Sequence, residues 1–170
     1  MTTTKVKIIF FAWESFYGKL IKFHTGSKWT HVGIVGLERA EEYVCFEAVN
    51  RGLVASVYTK AQIAEWEKLG LVKVVELDLR VSSERLLRTC QAYEGAPYDW
   101  ISIINIALYG ILGRLALNFS GPRALICSEF VARVLYDLSD KKIDFEQVYG
   151  KKFDLITPAE IHQWVMKQND

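Results

Sequence analysis

Two runs rich in β-branched and aromatic residues, Thr30 to Gly36 and Glu42 to Val49, are separated only by the short polar segment Leu37 to Glu41. So short a connection between strands predicts a hairpin. Side chains alternate faces along a strand, so His31, Gly33 and Val35 share one side, and Tyr43, Cys45, Glu47 and Val49 share one side of the next. A turn centred on Arg39 sets His31 directly opposite Glu47, with Cβ atoms roughly 4.5–5.5 Å apart. A carboxylate at that distance holds an imidazole in one tautomer and favours its protonated form. A slip of one residue moves Glu47 to the other face, so the pairing depends on the turn. The alternative is an ordinary surface His–Glu contact.

Further elements surround this hairpin. Lys5 to Phe11 reads as a strand, and Trp13 to His24 as a helix with Phe16, Leu20 and Phe23 at helical spacing, stopped by Thr25-Gly26-Ser27. His24, at that helix end, reads as a capping or surface residue. Strands Leu53 to Tyr58 and Leu71 to Leu77 bracket a helix over Thr59 to Leu69. The second half is mostly helical. Ser82 or Ser83 caps a helix running to about Tyr93 and ending near Gly95. Cys127 to Leu138 is amphipathic, with Phe130, Val131, Val134, Leu135 and Leu138 on one face. A last helix follows Thr157-Pro158 and carries Ile161, Trp164 and Val165 as its apolar stripe, with His162 exposed. The lysine-rich stretch from Asp140 to Lys152 reads as a solvated loop. Half of the chain is apolar, enough for a real core. The order of elements predicts an α+β domain spanning 1–170, a small antiparallel sheet packed against helices.

The chemistry centres on Cys127. It follows the loop Ser120-Gly121-Pro122-Arg123 and opens an amphipathic helix. A helix N-terminus carries partial positive charge and free N–H groups, which favour a thiolate there. The same N–H groups, that of Cys127 included, can receive an oxyanion on a substrate. With His31 as general base and then general acid, such a thiolate is a nucleophile. The alternative is a small buried core residue, since Leu125-Ile126 flank it. Cys45, inside a strand, and Cys90, inside a helix, fit that description better.

Other classes find little support. The chain carries 21 basic and 20 acidic side chains, so there is no basic excess for a nucleic-acid footprint. Three cysteines, far apart and odd in number, argue against a disulfide framework and for a reducing compartment. There is no CxxC pair, and His24, His31 and His162 are scattered, so no metal site is expected. No P-loop or dinucleotide fingerprint occurs, and no cofactor is implied. The start, MTTTKVKIIFFAWESF, lacks the cleavage pattern of a secretory signal and suggests a cytoplasmic location, with release on lysis as another route outward. Trp100 to Phe119 is apolar apart from Ser102, Asn105, Arg114 and Asn118, and makes a marginal membrane span. It reads as one or two helices covering the active-site side of the sheet. The sharper alternative is an acyl-chain groove or a membrane-surface contact through 100–119.

The segments Thr25-Gly26-Ser27-Lys28-Trp29-Thr30-His31-Val32-Gly33-Ile34, Phe46-Glu47-Ala48, Gly95-Ala96-Pro97-Tyr98-Asp99, Cys127-Ser128-Glu129-Phe130-Val131 and Thr157-Pro158 occur in that order. Together they resemble the circularly permuted papain-like hydrolases, the YiiX-type branch of the NlpC-type superfamily, in which the histidine precedes the cysteine. The resemblance implies a permuted papain-like fold with Cys127 as nucleophile, His31 as base and Glu47 as the orienting third residue. It also implies that Tyr98 lines the site and helps the oxyanion, because GAPYDW is similar to a glycine-x-proline-tyrosine segment of unpermuted relatives. The long apolar stretch between Tyr98 and Cys127 departs from their shorter spacing. The Gly-Asp that commonly opens the first strand is replaced here by Lys5 to Phe11, which, with no signal peptide, is similar to phage-encoded members. The implied activity is cleavage of an amide (peptide, isopeptide or cell-wall peptide) through a thioester acyl-enzyme. Two alternatives stand beside it: a lipid acyl hydrolase or acyltransferase acting on an acylated ester or amide, and a catalytically silent binding module.

Overall fold

The apolar runs of the first half assemble into a five-stranded sheet in which every neighbouring pair is antiparallel. The computed structural model describes residues 3–14, 16–99, 101–103 and 124–169, and only the backbone of residues 16, 17, 20 and 24. The strands are β1 (Thr3–Phe11), β2 (His31–Glu38), β3 (Glu42–Val49), β4 (Gly52–Thr59) and β5 (Val72–Ser82), in the spatial order β4-β3-β2-β1-β5. The helices are α1 (Phe16–Thr25), α2 (Lys60–Lys68), α3 (Ser83–Gln91), α4 (Cys127–Leu138), α5 (Phe145–Tyr149) and α6 (Pro158–Asn169), with a 3-10 turn at Phe153–Leu155. The architecture is therefore α+β.

Local chemistry sets the boundaries. Thr59 and Ser82 each leave a strand and cap the following helix, their side-chain oxygens accepting from the N–H of Gln62 and Arg85. At α6, Thr157 Oγ1 accepts from Glu160 N–H while the Glu160 carboxylate accepts from Thr157 N–H, a reciprocal capping box. Two sequence expectations need correction. The stretch from Asp140 to Lys152 is not simply a solvated loop: Asp144 caps α5, whose Phe145 is fully buried against Trp164. Helix α1 begins at Phe16, so Trp13 lies ahead of it in irregular chain.

The sheet separates two apolar layers. Val6, Ile8, Phe10, Val32, Ile34, Phe46 and Ala48 face the main core, which α4 and α6 fill with Phe130, Val131, Val134, Leu135, Ile161 and Val165. Ile9, Phe11, Val35, Cys45 and Val72 face a smaller cluster closed by Ile63 of α2. Burying each such aliphatic side chain contributes roughly 1.5–3 kcal/mol, so the α4 layer is the larger source of stability.

The β2–β3 hairpin departs from the simple register. Glu38 pairs with Tyr43 and Leu37 with Val44, but then Val35 pairs with Cys45 and Ile34 with Phe46. One extra residue, Gly36, is taken up in β2 as a bulge. Its consequence is a change of face. Carried on unbroken, the turn-proximal register would put Glu47 opposite Ile34, against the main core. The bulge instead brings Glu47 beside Gly33, on the face that His31 shares. Gly36 itself has no room for a side chain, because a Cβ there would collide with the Phe46 ring. Gly36→Ala is thus expected to lower stability by about 1–3 kcal/mol, read from a urea unfolding midpoint. An unchanged midpoint would overturn this account of the bulge.

Candidate functional site

His31 opens β2, and Cys127 opens α4, which packs on that strand. The approach of β2 is shaped by the segment before it. Thr25 Oγ1 donates to Ile21 C=O at the end of α1, Gly26 takes a positive φ of 64°, and Ser27 Oγ accepts from Trp29 N–H. Thr30 Oγ1 then accepts from Trp13 N–H at 3.0 Å and donates to Trp13 C=O at 2.9 Å. That pair of hydrogen bonds fixes Trp13, whose indole lies parallel to the His31 ring with centroids 4.7 Å apart and an interplanar angle of 10°. Phe11 flanks the imidazole at 5.5 Å.

His31 and Glu47 are not directly opposite. Glu47 sits by Gly33, and the imidazole reaches it diagonally, with His31 Nε2 and Glu47 Oε2 2.9 Å apart. Gly33 makes this contact sterically feasible: a Cβ there would lie 2.8 Å from Glu47 Cγ and 2.9 Å from Phe46 O. The pair is no surface contact, since His31 is 7% exposed and Glu47 fully buried. The other carboxylate oxygen, Oε1, accepts a 2.9 Å hydrogen bond from the Tyr58 hydroxyl of β4.

His31 also hydrogen-bonds the Cys127 side chain. With Nε2 engaged by Glu47, Nδ1 is the ring nitrogen left for the sulfur. Burial is the largest single influence on the imidazole and works against its charge, but the Cys127 and Glu47 charges and hydrogen bonds together outweigh it and raise the pKa to about 10. Ring protonation therefore adds stability in full below the ordinary histidine value of 6.5, and that contribution is lost as pH rises through about 10. The indole face over the imidazolium adds cation–π attraction.

Cys127 is 3% exposed, so the expectation of a buried sulfur holds alongside its contact with His31. The residue before it, Ile126, occupies the N-cap position and provides no side-chain cap. The first intrahelical bond runs from Phe130 N–H to Ile126 C=O, so the N–H groups of Cys127, Ser128 and Glu129 lie outside the helical ladder. Tyr98 is brought alongside. Its segment forms a parallel bridge with Leu125, in which Leu125 N–H donates to Pro97 C=O at 2.9 Å and Asp99 N–H donates to Leu125 C=O at 3.2 Å. Ala96 C=O accepts from Leu53 N–H, pinning the same loop to the start of β4. The half-buried Tyr98 packs with Ile103, Ile126 and Leu155.

The other cysteines lie elsewhere. Burial, with the Glu47 charge, pushes the Cys45 thiol far up, and burial pushes Cys90 up to about 12. His162 is not exposed as expected: it packs edge-on against Phe10 at 5.0 Å and beside Trp29, and burial lowers its pKa. The His24 side chain lies outside the described residues, as does most of the apolar stretch, Trp100 and 104–123. Among the described residues no helix is long and apolar enough to cross a membrane. Trp13 and Tyr58 were not legible as site residues, for each reaches the site across strands rather than along the chain.

The geometry predicts the charge state of the ring. Side-chain nitrogen shifts should show His31 doubly protonated at pH 8, where an ordinary histidine is neutral. In Gly33→Ala, which crowds Glu47, the ring should lose that proton at lower pH. A neutral His31 ring at pH 8 in the unaltered chain would overturn the assignment.

No family model matches the chain, and no curated protein matches it in sequence. Among solved structures it is similar to the crystal structure of the metalloprotein YiiX from Escherichia coli O157:H7, with 24% identity over 91% of this chain and 86% of that one and a TM-score of 0.52. The similarity is one of fold: this chain has a YiiX-like α+β architecture.

Proposed function

We propose that the protein is a thiol hydrolase that cleaves an amide through a thioester acyl-enzyme, with Cys127 as nucleophile, His31 as base and acid, and Glu47 as the orienting carboxylate. The observation that supports this best is the imidazole bridging two partners, a buried carboxylate on one side and a sulfur at the mouth of a helix on the other. A His31 imidazolium facing a Cys127 thiolate is an activated ion pair. The thiolate attacks the substrate carbonyl, and the C–O π electrons move onto oxygen. The uncapped N–H groups at the start of α4, with the nearby Tyr98 as a further donor, receive that oxyanion. His31 gives its proton to the leaving amine as the C–N bond breaks, leaving a thioester. Neutral His31 then takes a proton from water, the resulting hydroxide displaces sulfur, and the carboxylic acid departs with the ion pair restored.

YiiX is described as a metalloprotein. A metal centre needs donors converging on one point. Here the imidazole bonds both of the other two groups, and among the described residues no group of three or more His, Cys, Asp or Glu side chains is arranged to hold a metal ion. The present side chains do not fit such a centre, and no step above runs through one.

Iodoacetamide at mildly acidic pH should label the protein rapidly at one residue, and Cys127→Ala should abolish that labelling together with turnover of a fluorogenic amide. His31→Ala should lower turnover by about 100-fold or more. Rapid labelling that persists in Cys127→Ala would move the reactive thiol elsewhere. Slow labelling of the unaltered chain would favour a silent binding module. Turnover of esters but not amides would move the reading to acyl-ester chemistry.

A further inference from the structure

The catalytic reading uses one oxygen of Glu47 and leaves the other to Tyr58. Glu47 is fully buried, and its two oxygens point to different strands: Oε2 to His31 on β2, and Oε1 to the Tyr58 hydroxyl on β4, each at 2.9 Å. The Tyr58 ring is held in turn. It packs edge-on against Trp66 of α2 at 5.8 Å, and tilted against Phe11, the aromatic that also flanks His31, at 5.8 Å. From these contacts we infer that Tyr58 is a positioning residue of the site, a fourth member that acts on the Cys127–His31 pair by fixing the Glu47 carboxylate. The inference rests on the hydrolase reading and extends it to a residue outside the three-residue set.

The physical argument is one of orientation and of charge. A carboxylate bonded at one oxygen can swing about its terminal torsion, which is broad and soft. Donors on both oxygens remove that freedom, so the lone pair facing Nε2 stays aimed at it. The titratable groups around Glu47 are His31 from β2, Tyr58 from β4 and Cys45 from its own strand, with Cys127 of α4 beyond the imidazole. Burial and the adjacent carboxylate both keep the Tyr58 proton in place, so the hydroxyl is a constant donor. Cys45 is a poor substitute, as a thiol is a weak donor. Without Tyr58, Oε1 is a buried anionic oxygen short of a partner, and the negative charge that holds His31 protonated is less well supported.

The test separates this role from plain packing by using two pH values and a second substitution. Cys127 alkylation by iodoacetamide would be followed at about pH 6, where it needs the imidazolium, and at about pH 11, above the His31 value of about 10, where the imidazolium is gone in every variant. Tyr58→Phe keeps the ring against Trp66 and Phe11 and should slow labelling at pH 6 about tenfold, while the pH 11 rate stays within about twofold. In a Glu47→Gln background, adding Tyr58→Phe should change the pH 6 rate no further, because the carboxylate it serves is gone. Val57→Ala, at an exposed neighbouring position, should keep the unaltered rates, and matching circular dichroism spectra show that each variant is folded. An undiminished pH 6 rate in Tyr58→Phe, or an equal loss in both backgrounds, overturns the positioning role. If Tyr58→Phe does not fold, the same role predicts that 3-fluorotyrosine at position 58, which retains the hydroxyl, preserves the pH 6 rate; a tenfold loss there overturns it. Failure of the hydrolase reading looks different: the unaltered protein then labels no faster at pH 6 than Cys127→Ala, and the role assigned to Tyr58 falls with it.

Discussion

A carboxylate with no exposure to water governs this structure. Taking such an ion out of solvent costs several kcal/mol even after relaxation, and only well-placed donors offset it. Glu47 receives His31 on one oxygen and Tyr58 on the other. Those two donors come from the strands on either side of β3, so the carboxylate is satisfied only when β2, β3 and β4 are all in register. The Gly36 bulge follows from the same requirement, since it turns Glu47 toward His31 rather than toward the main core. Gly33 then leaves the space that the Glu47 side chain occupies.

The environment also separates three chemically identical thiols. Cys45 and Cys90 are buried where ionisation is opposed, in one case by a neighbouring carboxylate as well. Cys127 is nearly as hidden from water, but it faces an imidazole that the same Glu47 carboxylate helps to keep positively charged. All three sulfurs are buried, so what distinguishes Cys127 is its contact with His31 and its place at an uncapped helix start. An apolar N-cap such as Ile126 forgoes the stabilisation of about 1 kcal/mol that Ser, Thr or Asp would bring there. On the proposed reading, the amides so left are the ones that meet the substrate oxygen.

Strand period and capping residues carried most of the fold, because those signals are local. The bounds of β3 and α4 follow from alternation and amphipathicity, and the caps at Ser82 and Thr157 sit where a polar residue precedes a helical stripe. The errors arose where distant contacts overrode local pattern. The lysines flanking Phe145 suggested a solvated segment, but a fully buried aromatic packed on α6 anchors it. His162 looked like the polar face of its helix, yet Phe10 and Trp29 enclose it. In the hairpin, the parity of the pairing was right and the rung was wrong. A shift of two positions keeps Glu47 on the face of His31, so the contact survives as a diagonal one.

The site's chain order follows from where the strands lie. β2 is the middle strand of the sheet, flanked by β1 and β3, and it is the strand on which α4 packs. A histidine at its first residue can therefore meet a side chain at the first residue of α4 without any constraint on how many residues lie between them in sequence. What must be conserved in space is the local apparatus at each end: the Thr25-to-Thr30 turn that delivers His31 under Trp13, and the Pro97-to-Asp99 segment that runs beside Leu125 just before Cys127. Both are short, hydrogen-bonded stretches next to His31 or Cys127, and both are legible as motifs in the sequence. Trp13 and Tyr58 carry no such local mark, because each contributes through contacts with residues of other segments, which any aromatic residue in a strand-rich sequence would equally suggest.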